Sequence, residues 1–320
     1  MKIKTEYLVL ALVIAGLSLF LYFRNADRVL YDLPDTGSLK KEQVARVEIQ
    51  VPQKALVVLE KKDDAWRLAS GAPAKPVDAG EIVETVTGLT LTALVSERED
   101  LARYDLSPDK AMTVTAFAPD GKVLRALAVG KTAPTASQTF VRIDGDPRVY
   151  HARGRLSHIF DKTSEELTDR RVMVFDRGNV TRLAIEQATA RLALEKSEAA
   201  QDNAAPGAAA PAQWTMPDGK VADADAVDRL LDALLRLECA AYRDPAGSND
   251  PGEPLCIITV TDTKDHALSI FSPEGEETPD YPGRSSRSDL AFRLATDRTA
   301  ELLKSASDLI SGVNTSDPEE

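Results

Sequence analysis

Three histidines, His151, His158 and His266, and two cysteines, Cys239 and Cys256, are the side chains of this 320-residue chain best suited to proton transfer, metal binding or nucleophilic attack. Their spacing suits none of these. His151 and His158 flank Gly154, which interrupts any helical face they might share, and His266 falls in a Lys-Asp-His turn, so surface or turn positions account for all three. Neither cysteine belongs to a Cys-x-x-Cys or Cys/His spacing, which argues against zinc, and two are too few for a disulfide scaffold. Cys239 closes a predicted helix and Cys256 opens the next strand, so a disulfide is one reading and two buried thiols in apolar surroundings are the plainer one.

The remaining candidates also read as structure rather than chemistry. The acidic pairs Glu165-Glu166 and Glu276-Glu277 sit in polar stretches, as solvated surface does, rather than as a general acid and base. Gly130-Lys131-Thr132 ends like a phosphate loop, but the earlier glycines are missing and a strand-like run precedes it, so it reads as a turn. Trp66 and Trp214 are expected to be core anchors rather than a ligand-stacking pair. No Gly-x-Ser-x-Gly or His-Glu-x-x-His occurs. The sequence therefore assigns no catalytic, cofactor-binding or metal residue, and the expectation is a protein that is not an enzyme and carries no cofactor. A net charge of −12 argues against nucleic acid as a partner.

From Tyr7 to Phe23 the chain reads YLVLALVIAGLSLFLYF, 17 residues without a charge, or about 25 Å of helix. Its many Leu, Ile, Val and Phe residues favour membrane insertion by about 3 to 6 kcal/mol. A cleaved signal peptide is the competing reading, since Lys2 and Lys4 precede the apolar run. Arg24, however, falls where cleavage wants a small residue. The expectation is a single-pass anchor over residues 1–26 in the inner membrane, leaning N-in, with the soluble part in the periplasm or outside.

A tether over 27–41 leads into a chain that alternates strand and helix signals. Val44-Ala45-Arg46-Val47-Glu48-Ile49 has period two, Trp66 follows a Lys-Lys-Asp-Asp turn, and Asp78 with Glu81 suggests a capping box opening a helix at about 79–90. Strands are expected at 112–118, 123–129, 139–143 and 149–152, with a helix from Leu156. The same order then recurs. Val180-Thr181-Arg182-Leu183-Ala184-Ile185 repeats the first strand, Trp214 answers Trp66, and the helix after Asp223, with Val227, Leu230, Leu231 and Leu234 on one face, answers the helix at Asp78. The predicted fold is α+β: two tandem, related lobes of mainly antiparallel strands with one long helix each, over 42–175 and 176–304. Glu198–Ala212 reads as a linker, Ser272–Ser288 as a mobile loop and 305–320 as a disordered acidic tail.

The anchor, the pattern ending at Trp66, the Asp78 helix, Tyr104-Asp105-Leu106-Ser107-Pro108, Val129-Gly130-Lys131 and Val149-Tyr150 together resemble the uncharacterised bacterial family catalogued as domain of unknown function 4340. Tyr104-Asp105-Leu106 departs from the family's usual Tyr-Gly-Leu. The resemblance implies a membrane-anchored companion of an ABC-type exporter of the gliding-motility or polysaccharide kind. On these grounds the expected function is a non-catalytic extracytoplasmic interaction module, an accessory subunit whose partners are the membrane and a transporter permease. A periplasmic glycan- or lipid-binding protein is the alternative, and a hydrolase with scattered site residues a third.

Overall fold

The computed structural model describes residues 12–20, 33–98, 100–134, 137–188, 190–197, 213–243, 252–274 and 280–314. Alternation in the sequence becomes alternation in burial. In β1 (Arg46–Gln50) Val47 and Ile49 are buried while Arg46 and Glu48 are not, and β2 (Val57–Lys62) likewise buries Val57 and Leu59. β3 (Ala65–Leu68), β4 (Leu91–Ser96), β5 (Met112–Phe117), β6 (Val123–Thr132), β7 (Gln138–Ile143) and β8 (Val149–Arg153) complete an eight-stranded sheet of order β3-β2-β1-β5-β6-β7-β8-β4. The second sheet comprises β9 (Arg182–Gln187), β10 (Ala190–Ser197), β11 (Gln213–Thr215), β12 (Ala241–Tyr242), β13 (Cys256–Thr261), β14 (Asp265–Ile270), β15 (Tyr281–Ser285) and β16 (Ser288–Leu294). Its order, β11-β10-β9-β13-β14-β15-β16-β12, is that of the first sheet with every strand number advanced by eight.

The correspondence extends to single residues. Trp66 lies opposite Lys61, whose N–H donates to Ala45 O, and Trp214 lies opposite Lys196, whose N–H donates to Thr181 O. The N–H of Ala74 then returns to Trp66 O at 2.9 Å, as that of Ala222 does to Trp214 O at 2.8 Å. Between them the chain turns at Gly71 and Gly219, with φ of 83° and 87°, a left-handed conformation that glycine adopts without strain. On the two following helices, Ala79, Ile82, Val83 and Val86 are buried at the positions of Val227, Leu230, Leu231 and Leu234. The Trp66 and Trp214 environments differ, since Trp214 is buried in the core and Trp66 is half-buried.

Several local expectations are corrected. The first long helix spans Pro76–Thr87 rather than about 79–90. Proline opens it, since the first helical turn has no use for its missing N–H. Asp78 thus lies inside the first turn and receives Lys162 Nζ at 2.6 Å instead of capping. Asp223 does cap its helix, Ala224–Leu235, accepting from Asp225 N–H. Gly130-Lys131-Thr132 is no turn but the end of β6, where a Cβ on Gly130 would fall 2.2 Å from Tyr104 O. β15 occupies part of the expected loop 272–288, packing Gly283 against the Phe292 ring. The expected tail at 305–320 is helical as far as Asn314, in a helix from Thr296 whose Leu302, Ala306, Leu309 and Ile310 enter the second core. Burying such side chains stabilises by about 1.5–3 kcal/mol for each large one.

By contact density the chain separates into two compact units. One runs over Met1–Val44, Ile49–Lys54 and Ile82–Asp161, the other over Ala45–Glu48, Ala55–Glu81 and Lys162–Glu320. Sheet membership follows the repeats at β1–β8 and β9–β16, whereas compactness groups β2 and β3 with the second unit. In the first unit the buried Arg125 fastens the tether. Its guanidinium donates to the carbonyls of Val86 and Thr87 at the end of the Pro76–Thr87 helix, and to those of Thr36 and Gly37. A cation there complements carbonyls that have no partner within the helix.

Of the expected anchor, residues 12–20 are described, and they are helical. Among the described residues no helix is long and apolar enough to cross a membrane. The ends of the apolar run, Glu198–Ala212, the pair Glu276-Glu277 and residues 315–320 lie outside the described residues.

Candidate functional site

The segment from Thr168 to Arg171 borders two clefts in the second unit, Thr168 and Arg170 lining both. A mainly apolar one of about 510 Å³ is lined by Leu68, Ala72, Thr168, Arg170, Leu290 and Ala240–Arg243, among others. A second, of about 620 Å³, has the charged residues Lys75, Asp78, Glu165 and Glu238 on its walls. The segment shared by both is fixed from each side. Lys75 N–H donates to Leu167 O and Asp169 N–H to Pro73 O, while Cys239 N–H donates to Arg170 O and Val172 N–H to Leu237 O.

Beneath this backbone lies an ionic cluster around a buried carboxylate. Asp169, 3% exposed at its side chain, accepts from Arg171 Nε at 3.0 Å, Arg171 Nη2 at 2.7 Å and Arg287 Nη2 at 2.6 Å. Arg287 also donates to Arg171 O, and Tyr242 Oη donates to Asp169 O at 2.9 Å. Burial alone would raise the Asp169 carboxyl, but hydrogen bonds from Arg171 and Arg287, and the charge of Arg287, hold it well below the usual carboxylate range. The cluster is a paired charge that positions backbone rather than a proton donor.

The sequence candidates are dispersed. His266 is buried in β14, not in a turn, with Nε2 2.9 Å from Asp262 Oδ1 and the Phe175 ring beside it. Asp262 also accepts from Asp176 N–H at 2.9 Å and Lys264 N–H at 3.1 Å, so the pair fastens a hairpin turn to the chain entering the second sheet. His151 of β8 lies tilted against the Phe140 ring of β7, where burial lowers its pKa, and His158 is exposed on the Leu156–Phe160 helix. Gly154, at φ 96°, separates them as expected. Glu165 pairs with Arg170, and Glu166 caps with Thr163. Cys239 and Cys256 are free and buried, and burial pushes both thiols up to about 11. Among the described residues no group of His, Cys, Asp and Glu could hold a metal ion.

Sequence reasoning missed Asp169, Arg171 and Arg287. A local signal exists, because Asp169-Arg170-Arg171 has the Asp-x-Arg spacing of Asp146-Pro147-Arg148, whose carboxylate is likewise embraced by its arginine. Arg287 gave none, lying in a turn between strands of which one read as loop.

The fold and these clefts define a tandem α+β protein built of two eight-stranded antiparallel sheets of one topology. The chain belongs to the family described as Domain of unknown function (DUF4340), which matches residues 66–268, more than half its length. That match begins in β3 and ends in β14, so the family's unit spans both repeats. No curated protein and no solved structure matches the chain.

Proposed function

We propose that this protein is a non-catalytic interaction module, held at the outer face of the inner membrane by its N-terminal helix and acting as an accessory subunit of an ABC-type transporter. One observation carries the membrane part of the reading. In the helical stretch at residues 12–20, Leu12, Val13, Ile14, Leu17, Leu19 and Phe20 are all 51–67% exposed. A helical stretch whose large apolar side chains stay this exposed among the described residues is matched by lipid or by other transmembrane helices. Support for the non-catalytic part comes from His266 being paired with Asp262 and from both thiols being buried in one apolar core. The transporter follows from the family resemblance.

Purification of the tagged full-length protein from membranes in mild detergent tests this reading. Transporter subunits are expected to co-purify. Absence of any such subunit, with glycan binding or substrate cleavage by the protein alone, sinks it. A glycan or lipid ligand is the second reading, favoured by clefts whose volumes fall in the range of ligand pockets, about 300–1,000 Å³.

A further inference from the structure

The mainly apolar cleft lies where a β-ladder comes apart. Leu237–Cys239 and Arg170–Val172 are bonded as antiparallel neighbours, with Arg171 opposite Glu238. Continued in register, that ladder would set Thr168 against Ala241. Instead Asp169 N–H turns to Pro73 O and Thr168 bridges Ala74, so the two segments diverge and the cleft opens between Thr168 and Ala240–Arg243. Across the mouth, the Tyr242 hydroxyl reaches Asp169 O and supplies a bond that the separated backbones do not make.

β12 is the edge strand of its sheet. On its inner side Ala240 N–H donates to Arg293 O and Arg243 N–H to Ala291 O, with Tyr242 opposite Phe292. Where the residue after one member of an opposed pair donates to the residue before the other, as Arg243 does to Ala291, the pair itself is non-hydrogen-bonded, and its N–H and C=O groups point away from the partner strand. Those of Tyr242 therefore face the outer edge, and among the described residues neither has a backbone partner outside β16. Leu68, Ala72 and Leu290 give the cleft an apolar floor. At the rim the arginines are neutralised, Arg170 by Glu165 and Arg243 by Glu274, so the site favours neither anion nor cation.

The outward backbone donor and acceptor of Tyr242 on an edge strand, an apolar floor and a charge-balanced rim match one class of ligand. We propose that this cleft is a strand-addition site that takes an extended, uncharged peptide segment with small apolar side chains, paired to β12 and supplied by a partner protein. The assignment rests on the interaction-module reading and names the surface through which it works.

The test presents a phage-displayed library of random heptapeptides to the full-length protein in phospholipid nanodiscs, and enriched peptides are then synthesised. Bound peptide is expected to slow hydrogen exchange at the Tyr242 amide, and an ester in place of the peptide's central amide should weaken binding about tenfold. Ser70→Trp and Ala240→Trp, both at exposed positions beside the cleft, should each weaken it at least about tenfold with thermal melting unchanged. The proposal is overturned if no peptide is enriched, if enriched peptides bind both variants as well as the native protein, or if Tyr242 exchange does not respond. Should transporter subunits still co-purify in any of those cases, the cleft assignment falls and the interaction-module reading stands.

Discussion

Asp169 illustrates how one carboxylate can organise a neighbourhood without doing chemistry. Its two arginines come from different parts of the chain, Arg171 from the same segment two residues on and Arg287 from the hairpin between β15 and β16, so the ion cluster fastens local backbone to distant backbone. Removing the carboxylate leaves two partly exposed arginines without their anion, and Asp169→Asn is expected to destabilise the protein by about 1–3 kcal/mol at pH 7. Because the folded carboxyl is depressed, its contribution is present above the unfolded value of about 4 and is lost as pH falls below it. Denaturant unfolding of both proteins should therefore show a gap that is full at pH 7 and narrows below about pH 4. A gap that widens on acidification would mean that Asp169 is not the stabilising anion. At the same scale, both thiols are buried and protonated at neutral pH. A thiol reagent should react with neither in the native protein at pH 8 and with both after unfolding without reductant; a count of zero after unfolding would indicate a disulfide.

The repeated elements carry unequal loads. Trp66 and Trp214 hold equivalent positions, yet only Trp214 is enclosed by core side chains. Trp214→Ala should destabilise by about 3–5 kcal/mol, and Trp66→Ala by less than half of that, as judged by urea unfolding. Equal losses would show that the repeats bury their tryptophans alike. A second consequence belongs to the tether. Arg125 holds Thr36 and Gly37 against the end of the Pro76–Thr87 helix, and Thr36 Oγ1 also donates to Leu89 O at 3.1 Å. In Arg125→Met those carbonyls lose their donor, so limited proteolysis near Thr36 is expected to accelerate at least about tenfold relative to cleavage elsewhere, following local rather than global opening. Unchanged cleavage at the tether would show that it is held by something else.

For the molecule as a whole, the decisive property is where the N-terminal segment resides. The protein should remain with membranes after carbonate washing and keep its first residues by intact mass, because insertion is favoured by about 3 to 6 kcal/mol. Loss of the first 20–30 residues or so would identify a cleaved signal instead. Replacing residues 1–26 by an unrelated single-pass anchor then divides recognition between parts: a partner retained on co-purification is bound by the folded portion, and a partner lost is bound by the helix. Two weak contacts on one tethered chain would reinforce each other through effective concentration.

What the sequence determined by itself is what depends on local period and on repetition. Val47, Ile49 and their counterparts Leu183 and Ile185 alternate with polar neighbours, which dictates half-buried strands, and the recurrence of strand, tryptophan and amphipathic helix made the duplication legible before any contact was known. Helix Leu156–Phe160 was legible for the same reason. Signals failed where tertiary pairing overrides composition. β15 carries Pro282 and Gly283, which read as loop, yet Gly283 is the residue that lets the Phe292 ring approach, and β12 is only two residues long. From Ser305 onward the C-terminal helix looked like an acidic tail because its apolar residues are few, but Ala306, Leu309 and Ile310 have a core to enter. The candidate site was the least legible part. Its cleft exists because Thr168 pairs with Ala74 and not with Ala241, and its charge cluster because Arg287 arrives from more than a hundred residues away. Such choices between competing backbone partners are made by the packed chain, since no spacing of residue types records which of two strands a third will join.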